Sequence, residues 1–343
     1  MDSSASFRNF VLRRFGLTLF LLWGVATILF FSARLVPGDV VSVMLGEEGA
    51  ADPVARQAMI ERFNLDASLP EQYWAHMTNM LRGDFGISMR TRGPVTDELL
   101  TAIPASLELG LLAVTISVVF GLFLGTLSAL KRGKFTDQVI RVFSLAGISM
   151  PLFWLALITL WVFNFQLGIA PGIGRLNPGV APPPRVTGMY TVDALLIGDI
   201  PLFWDAFSHL ILPGAVLAAF TMTLIARFAR SSVLEILNED YIRTARAKGL
   251  PYSRVLFGHI LRAAFVPIIT VIGLVFGAVL AGGVLVEEIF NFPGIGRLMF
   301  RSAVFLDMPG MIGVGLVVAF IYIVTNFVVD LLYGVIDPRI RVS

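Results

Sequence analysis

Six long apolar runs decide what this chain can fold into. They cover Phe15–Leu35, Ile103–Leu130, Val142–Leu167, Phe207–Ala226, Phe265–Val286 and Met311–Leu332. Each reaches the roughly 20 helical residues needed to cross a hydrocarbon core about 30 Å thick. Buried helices of a large soluble protein would carry a polar face at helical period, and these runs have none. Only 15% of the residues are charged and the mean hydropathy is +0.81, too little polar surface to cover six such helices in water. The expectation is an all-α membrane protein with six transmembrane helices.

The net charge of +2 says little, but the distribution of the charges gives an orientation. Of 26 Lys and Arg, 16 fall in four places. These are the N-terminal stub (Arg8, Arg13, Arg14), the second connection (Lys131, Arg132, Lys134, Arg141), the fourth connection (Arg227, Arg230, Arg243, Arg246, Lys248, Arg254, Arg262) and the tail (Arg339, Arg341). Short loops rich in Lys and Arg stay in the cytoplasm, so both termini and the even connections are expected there. Of the 24 acids, 17 lie on the other side, a concordant sign. The Arg-rich start followed by an apolar run resembles a signal peptide. However, the run is too long and ends in RLVPGD without a small-residue cleavage site, so it reads as an uncleaved first span. Cysteine is absent, which removes thiolate metal sites and Cys nucleophiles.

The first external loop, Val36 to Ala102, is the one large enough for an extramembrane unit. Asp52-Pro53 predicts a capped helix to about Asn64, and Pro70 opens a second that Gly83 closes. Asp84-Phe85-Gly86 and Arg92-Gly93-Pro94 read as turns. The third connection, with APGIGRLNPGVAPPPRV between Gly168 and Thr187, predicts an irregular loop. The fifth, EEIFNFPGIGRLMF, looks interfacial, with Phe290, Phe292 and Phe300 dipping into the bilayer. Glu287, Glu288, Phe290, Pro293 and Gly294 in that connection are candidates for a pathway or external gate.

The fourth connection uses about 40 residues where two to eight would join neighbouring spans. Within it NEDYIRTARAKGLPYS, Asn238 to Ser253, predicts a short self-terminated helix. Asn238 is the expected N-cap, with Glu239 and Asp240 at the positive helix end and a Glu239–Arg243 pair one turn apart. Gly249 stands where a left-handed residue closes a helix, Pro251 follows, and Ser253 is expected to cap the next helix. Tyr241, Ile242, Ala245 and Leu250 leave apolar side chains to bury, as a helix seated in a groove would.

DYIRTARAKG resembles the coupling-loop signature of ABC-importer permeases, and more narrowly that of the B-type permease of dipeptide and oligopeptide importers. RLVPGD, GDFGISMRTRGPV, ASLELG, SMPLFW, ILPG, EEIFNFPGIGR and DLLYGVIDPRIR, in this order, carry the resemblance along nearly the whole chain. The general signature has Glu where Arg243 stands and an Ile-x-Leu-Pro ending that is absent here; both departures resemble the peptide subgroup. The resemblance implies a type I ABC-importer permease (MetI-like) fold with an external helical insert after the first span. The expected divisions are 1–36 (cytoplasmic N-terminus and first span), 37–102 (external helical loop) and 103–343 (permease core, with the coupling loop at 231–264). It also implies a bacterial inner-membrane location and four kinds of company. These are a second homologous permease subunit in a heterodimer, two cytoplasmic ABC ATPases, an external or periplasmic solute-binding protein, and the bilayer.

Asp240, Tyr241, Arg243, Thr244, Ala245, Arg246, Lys248, Gly249 and Leu250 are the expected ATPase contact, with Tyr241 and Ala245 packing and Arg243 and Arg246 making polar contacts. The chain itself has no G-x-x-x-x-G-K-[ST], since Gly133-Lys134 is followed by Phe135, and no Ser/His/Asp elbow or metal motif. His76, His209 and His259 are scattered over different segments. A transport subunit without its own enzymatic activity, cofactor, metal or nucleic-acid partner is therefore expected. Within the spans the polar residues are few: Glu108, Asn164, Asn326 and Asp330, with Glu108 and Asp330 near span ends. Gly121/Gly125 and Gly273/Gly277 have helix-packing spacing. A secondary transporter or channel would need more ionisable or polar side chains in its spans and would leave the coupling loop idle. Within the family, nickel, glutathione or another peptide-like solute stays open beside di- and oligopeptides.

Overall fold

The computed structural model describes residues 3–35, 52–54, 56–57, 60 and 66–336. Among them the chain is helical apart from turns, the irregular stretch 167–189 and one isolated bridge, Ile87 to Pro94. Four helices are long and apolar enough to cross a membrane, and six spans result if each of two bent helix pairs counts as one.

Two helices form the spine, α3 (Val95–Leu130) and α7 (Ile200–Leu237). With 36 and 38 residues they extend well beyond the hydrocarbon thickness, because each residue adds about 1.5 Å. The sequence run Ile103–Leu130 covers α3 except its first two turns, and Phe207–Ala226 marks only the apolar middle of α7. Glycine lets them approach closely: a Cβ on Gly121 would stand 2.9 Å from Ile225, and one on Gly125 would overlap the Ala226 carbonyl. The expected small-residue contact thus lies between these two helices. The second pair, Gly273/Gly277, joins α9 (Leu261–Gly282) to α12 (Met308–Ile336), where a Cβ on Gly277 would lie 2.5 Å from the Tyr322 ring.

Outside this spine, α1 (Ser3–Leu35) packs on α12, and Arg14 pairs with Asp330 at 2.7 Å. The external helix α2 (Leu69–Leu81) starts one residue before Pro70, with Ser68 as its N-cap in a capping box with Glu71. Arg82 and a left-handed Gly83 (φ +78°) end it, and its Tyr73 hydroxyl meets Thr27 of α1 at 2.8 Å. For the expected helix from Pro53 to Asn64, the amides of Val54 and Arg56 bond to Asp52, as a capped start requires, and most of its remainder lies outside the described residues.

The run Val142–Leu167 is not one straight span. α4 (Phe135–Ser149) stops, Met150 and Pro151 turn to extended backbone, and α5 (Leu152–Thr159) with a π-helical continuation (Leu160–Gln166) leaves at 103°. Proline lacks an N–H and pushes the preceding residue out of helical space, so the break falls where the chemistry puts it. The fifth run is divided too: after Gly283 a short α10 (Val284–Ile289) precedes α11 (Ile295–Val304).

Alternation of the helices gives the molecule two faces. Residues 66–94, 167–199 (with the short helix α6, Tyr190–Leu196) and 283–307 meet on one, the loop face, where Gly174 N–H bonds to the Phe290 carbonyl at 2.8 Å. The terminal face carries the 131–134 turn, residues 238–253 and the start of α1.

Candidate functional site

On the terminal face α7 gives way to α8 (Asp240–Ala247). Asn238 does not cap α8. It closes α7 in a helical conformation, its side-chain amide donating to the Leu234 carbonyl at 3.0 Å, and Glu239 takes the N-cap position with extended backbone. One residue cannot serve both helices, and the chain leaves no spacer between them. The expected end is present: Gly249 is left-handed (φ +74°), its N–H bonds to the Arg246 carbonyl and that of Leu250 to the Ala245 carbonyl. That pairing is a Schellman closure, and Leu250 beside Ala245 supplies its apolar contact. The next helix begins at Tyr252, so Ser253 (φ −58°, ψ −42°) lies inside it rather than capping it. Its winding is π-helical over Arg254–Ile260.

α8 has two unlike sides. Ile242 (0% exposed) and Ala245 (7%) are buried in the chain's own cluster with Ala129, Val233, Val255 and Ile260. Positions three apart share one helix face, so this stripe seats α8 on the ends of α3 and α7 and the start of the next span. The sequence reading gave Ala245 an outward contact, whereas the residue points inward. Asp240, Tyr241, Arg243, Thr244, Arg246, Lys248 and Gly249 are exposed, and Leu250 is half-buried. Arg243 pairs with Asp240 at 3.4 Å, not with Glu239. Both side chains are open to water, so the pair contributes no more than about 0.5 kcal/mol.

The turn that follows α3 is locked by a carboxylate that the sequence reading passed over. Asp137 receives Arg230 through Nε and Nη2 at 3.0 and 3.1 Å, the Ser128 hydroxyl at 2.5 Å and the Gly133 amide at 3.0 Å. Three helices, α3, α4 and α7, are thereby tied at one buried point.

On the loop face Phe290 (3%) and Phe292 (1%) are not interfacial: both lie in the main apolar core, and only Phe300 is exposed. The third connection folds over them, which local hydropathy cannot register. Glu287 is buried, accepting the Ser106 hydroxyl at 2.6 Å and the Arg297 amide at 3.0 Å at the start of α11. Burial pushes its carboxyl up, and these donors oppose that. A Cβ on Gly294 would overlap this carboxylate, so Gly294 and Glu287 form one packed joint. Glu288 is half-exposed, bonded to Arg297 at 3.2 Å with Arg301 at 3.6 Å, and Pro293 is half-buried beside it.

Two further carboxylates pin the loops. Glu108 of α3 holds Arg175 at 2.7 Å and the Thr191 amide at 2.7 Å, while the Arg175 guanidinium lies 3.4 Å above the Tyr190 ring. Asp307 takes the Ser88 hydroxyl at 2.5 Å and the Met89 amide at 3.0 Å, docking the end of the first loop against the start of α12. Asn164 donates to the Ala170 carbonyl in the loop after its helix, and Asn326 to the Tyr322 carbonyl one turn back. Among the described residues no group of His, Asp or Glu could hold a metal ion.

A bundle of apolar helices with a polar-faced, internally seated helix on one end defines a multi-pass membrane component of a transport system. The chain belongs to the family described as "Binding-protein-dependent transport system inner membrane component", which matches residues 117–342. It is 45% identical over 333 residues to the di/tripeptide transport system permease protein DppB of Pseudomonas aeruginosa UCBPP-PA14, covering 97% of this chain and 98% of that one. The dipeptide transport system permease protein DppB of Escherichia coli K12 is 40% identical over 335 residues, 97% and 98% of the two chains. The glutathione transport system permease protein GsiC of Escherichia coli O1:K1 / APEC is 33% identical over 333 residues, 97% and 99%.

Proposed function

We propose that this chain is the membrane-spanning permease subunit of an ATP-driven importer of di- and oligopeptides. An external binding protein delivers the solute, a second homologous permease completes the pathway, and two cytoplasmic ATPases bind the terminal face. The observation that carries the reading is α8, whose apolar stripe is satisfied within the chain while its polar side stays outward. Asp240, Tyr241, Arg243, Thr244, Arg246 and Lys248 form the docking surface, and Gly249 and Leu250 fix its end. Ala245 acts from behind, as part of the seat. ATP-driven closure of the ATPases then moves α8 and the spans it rests on as one body.

The positive-inside distribution supports both termini in the cytoplasm. Against proton coupling or a channel stand the few ionisable groups of the spans, each already paired with a cation of the chain itself: Glu108 with Arg175 and Asp330 with Arg14. Among relatives, the one named for di/tripeptides is 45% identical and the one named for glutathione 33%, which favours peptides.

The test is uptake by proteoliposomes holding the full complex and its binding protein, across di-, tri- and oligopeptides, nickel and glutathione. ATP-dependent peptide uptake is expected. Uptake that continues without ATP, or that is confined to nickel or glutathione, would refute the reading.

A further inference from the structure

An open cavity of about 380 Å³ lies on the loop face between the beginning of α3 and α11. Arg90, Asp97 and Glu98 line it from one side and Arg297 and Arg301 from the other, with Leu298 adding apolar surface. The charges around it are not all paired. Glu98 accepts from Arg90 Nη2 at 3.0 Å and from the Thr91 hydroxyl. Glu288 accepts from Arg297 Nε at 3.2 Å and faces Arg301 Nε at 3.6 Å. Arg90 is thus matched by Glu98, while Arg297 and Arg301 share Glu288 beside the buried Glu287, and the outer nitrogens of Arg301 have no partner among the described residues. Asp97 is exposed, and no side-chain partner reaches its carboxylate among the described residues. Burial and the adjoining Arg301 guanidinium hold Arg297 below its ordinary value, as expected where cations crowd.

An unpartnered carboxylate and an incompletely engaged guanidinium lining one small cavity match a zwitterion. We propose that this cavity binds the free ends of a short peptide before it enters the membrane, the carboxylate at Arg301 and Arg297 and the ammonium at Asp97. The proposal rests on the peptide-import reading and adds a recognition step within this chain. Arginine takes a carboxylate through two parallel N–H bonds, and Arg301 has its outer nitrogens available for that. An extended dipeptide spans about 7 Å and a tripeptide about 10 Å, lengths on the scale of a cavity of this size.

The experiment uses the purified permease–ATPase complex without its binding protein, so that any preference belongs to the membrane part. Binding of Ala-Ala, N-acetyl-Ala-Ala and Ala-Ala-amide is measured by equilibrium dialysis on wild type, Asp97→Asn and Arg301→Gln. Both residues are solvent-facing, and co-purification of all subunits checks assembly. Blocking either end should weaken wild-type binding about tenfold, the scale of one lost charge-assisted bond. Asp97→Asn should erase the penalty for acetylation alone, and Arg301→Gln the penalty for amidation alone. The proposal is overturned if the complex binds none of the three or is indifferent to blocked ends. It is equally overturned if both variants keep the wild-type preferences while binding-protein-stimulated ATPase falls, which would mark a protein-docking face. Uptake of Ala-Ala by the full complex separates the two levels. Intact uptake beside any of those results removes this inference alone, whereas absent uptake of every peptide removes the import reading together with it.

Discussion

At the scale of single residues, two glycines that look alike in the sequence are constrained by opposite physics. Gly249 is left-handed with nothing within 4 Å of where a Cβ would stand, so a side chain there meets only backbone strain. Gly125 has ordinary helical backbone but no room, its Cβ position lying 2.8 Å from Ala229. Gly249→Val should cost about 1–3 kcal/mol at the end of α8 and leave insertion intact while uptake is lost. Gly125→Val should instead separate α3 from α7 and reduce the amount of inserted protein. Membrane-fraction yield and uptake, measured on both variants, distinguish the outcomes, and equal yields would contradict the packing argument. Asp193 is a third constrained position. Burial opposes its charge, but the amides of Thr187, Gly188 and Val186 and the Thr187 hydroxyl outweigh burial and hold its carboxyl below the ordinary value of about 3.9. A lowered folded value means that the stabilisation is complete above the unfolded value and fades as pH falls through the folded one. Protease resistance of the 171–189 loop should therefore hold at neutral pH and decline below about pH 4. Asp193→Asn, which keeps a single acceptor oxygen, should expose the loop already at pH 7, at a cost of about 1.5–3 kcal/mol. A loop as protected in the variant as in wild type would refute this.

At the scale of elements, α8 shows what a sequence can and cannot disclose. Its existence, polarity and glycine closure follow from local chemistry, and the structure agrees on each. Its first residue does not, because Asn238 suits two helix ends equally and only the course of α7 decides which one it serves. The same limit explains the bend after α4: summed hydropathy reports that Val142–Leu167 is apolar but carries no direction, although Pro151 marks the break. Phe290 and Phe292 read as interfacial because the charged residues around them are neighbours in sequence, while the loop that buries them lies more than 100 residues earlier, at Gly174. Glu108 finds Arg175 67 positions away, a pairing that no periodicity announces. If the outward side of α8 is a docking surface, Arg243→Glu should cut ATP-dependent uptake severely. Arg132→Glu, exposed on the neighbouring turn, should change it by less than about twofold, because surface charges away from contacts matter little. Binding-protein-stimulated ATPase in the same vesicles is the measurement, and equal behaviour of the two variants would rule the surface out.

At the scale of the whole molecule, the two faces make an orientation testable. Ser68, Ala181 and Ser253 are all exposed, the first two on the loop face and the third on the terminal face. In a cysteine-free chain each can be replaced by Cys one at a time. An impermeant thiol reagent added to intact cells should label positions 68 and 181 and spare 253, and labelling of 253 would reverse the proposed topology. The seat of α8 has a mechanical consequence. Ile242 and Ala245 share one apolar cluster with Ala229 and Val233 of α7 and with Ile260 and Ala264 ahead of and within α9. A flap on a flexible tether would absorb an applied load by swinging; a bracket set into close-packed side chains has little compliance. Were a partner to push on the exposed side of α8, the force would therefore reach two spans at once, and the stiffness of that joint would fix how much of each stroke is wasted.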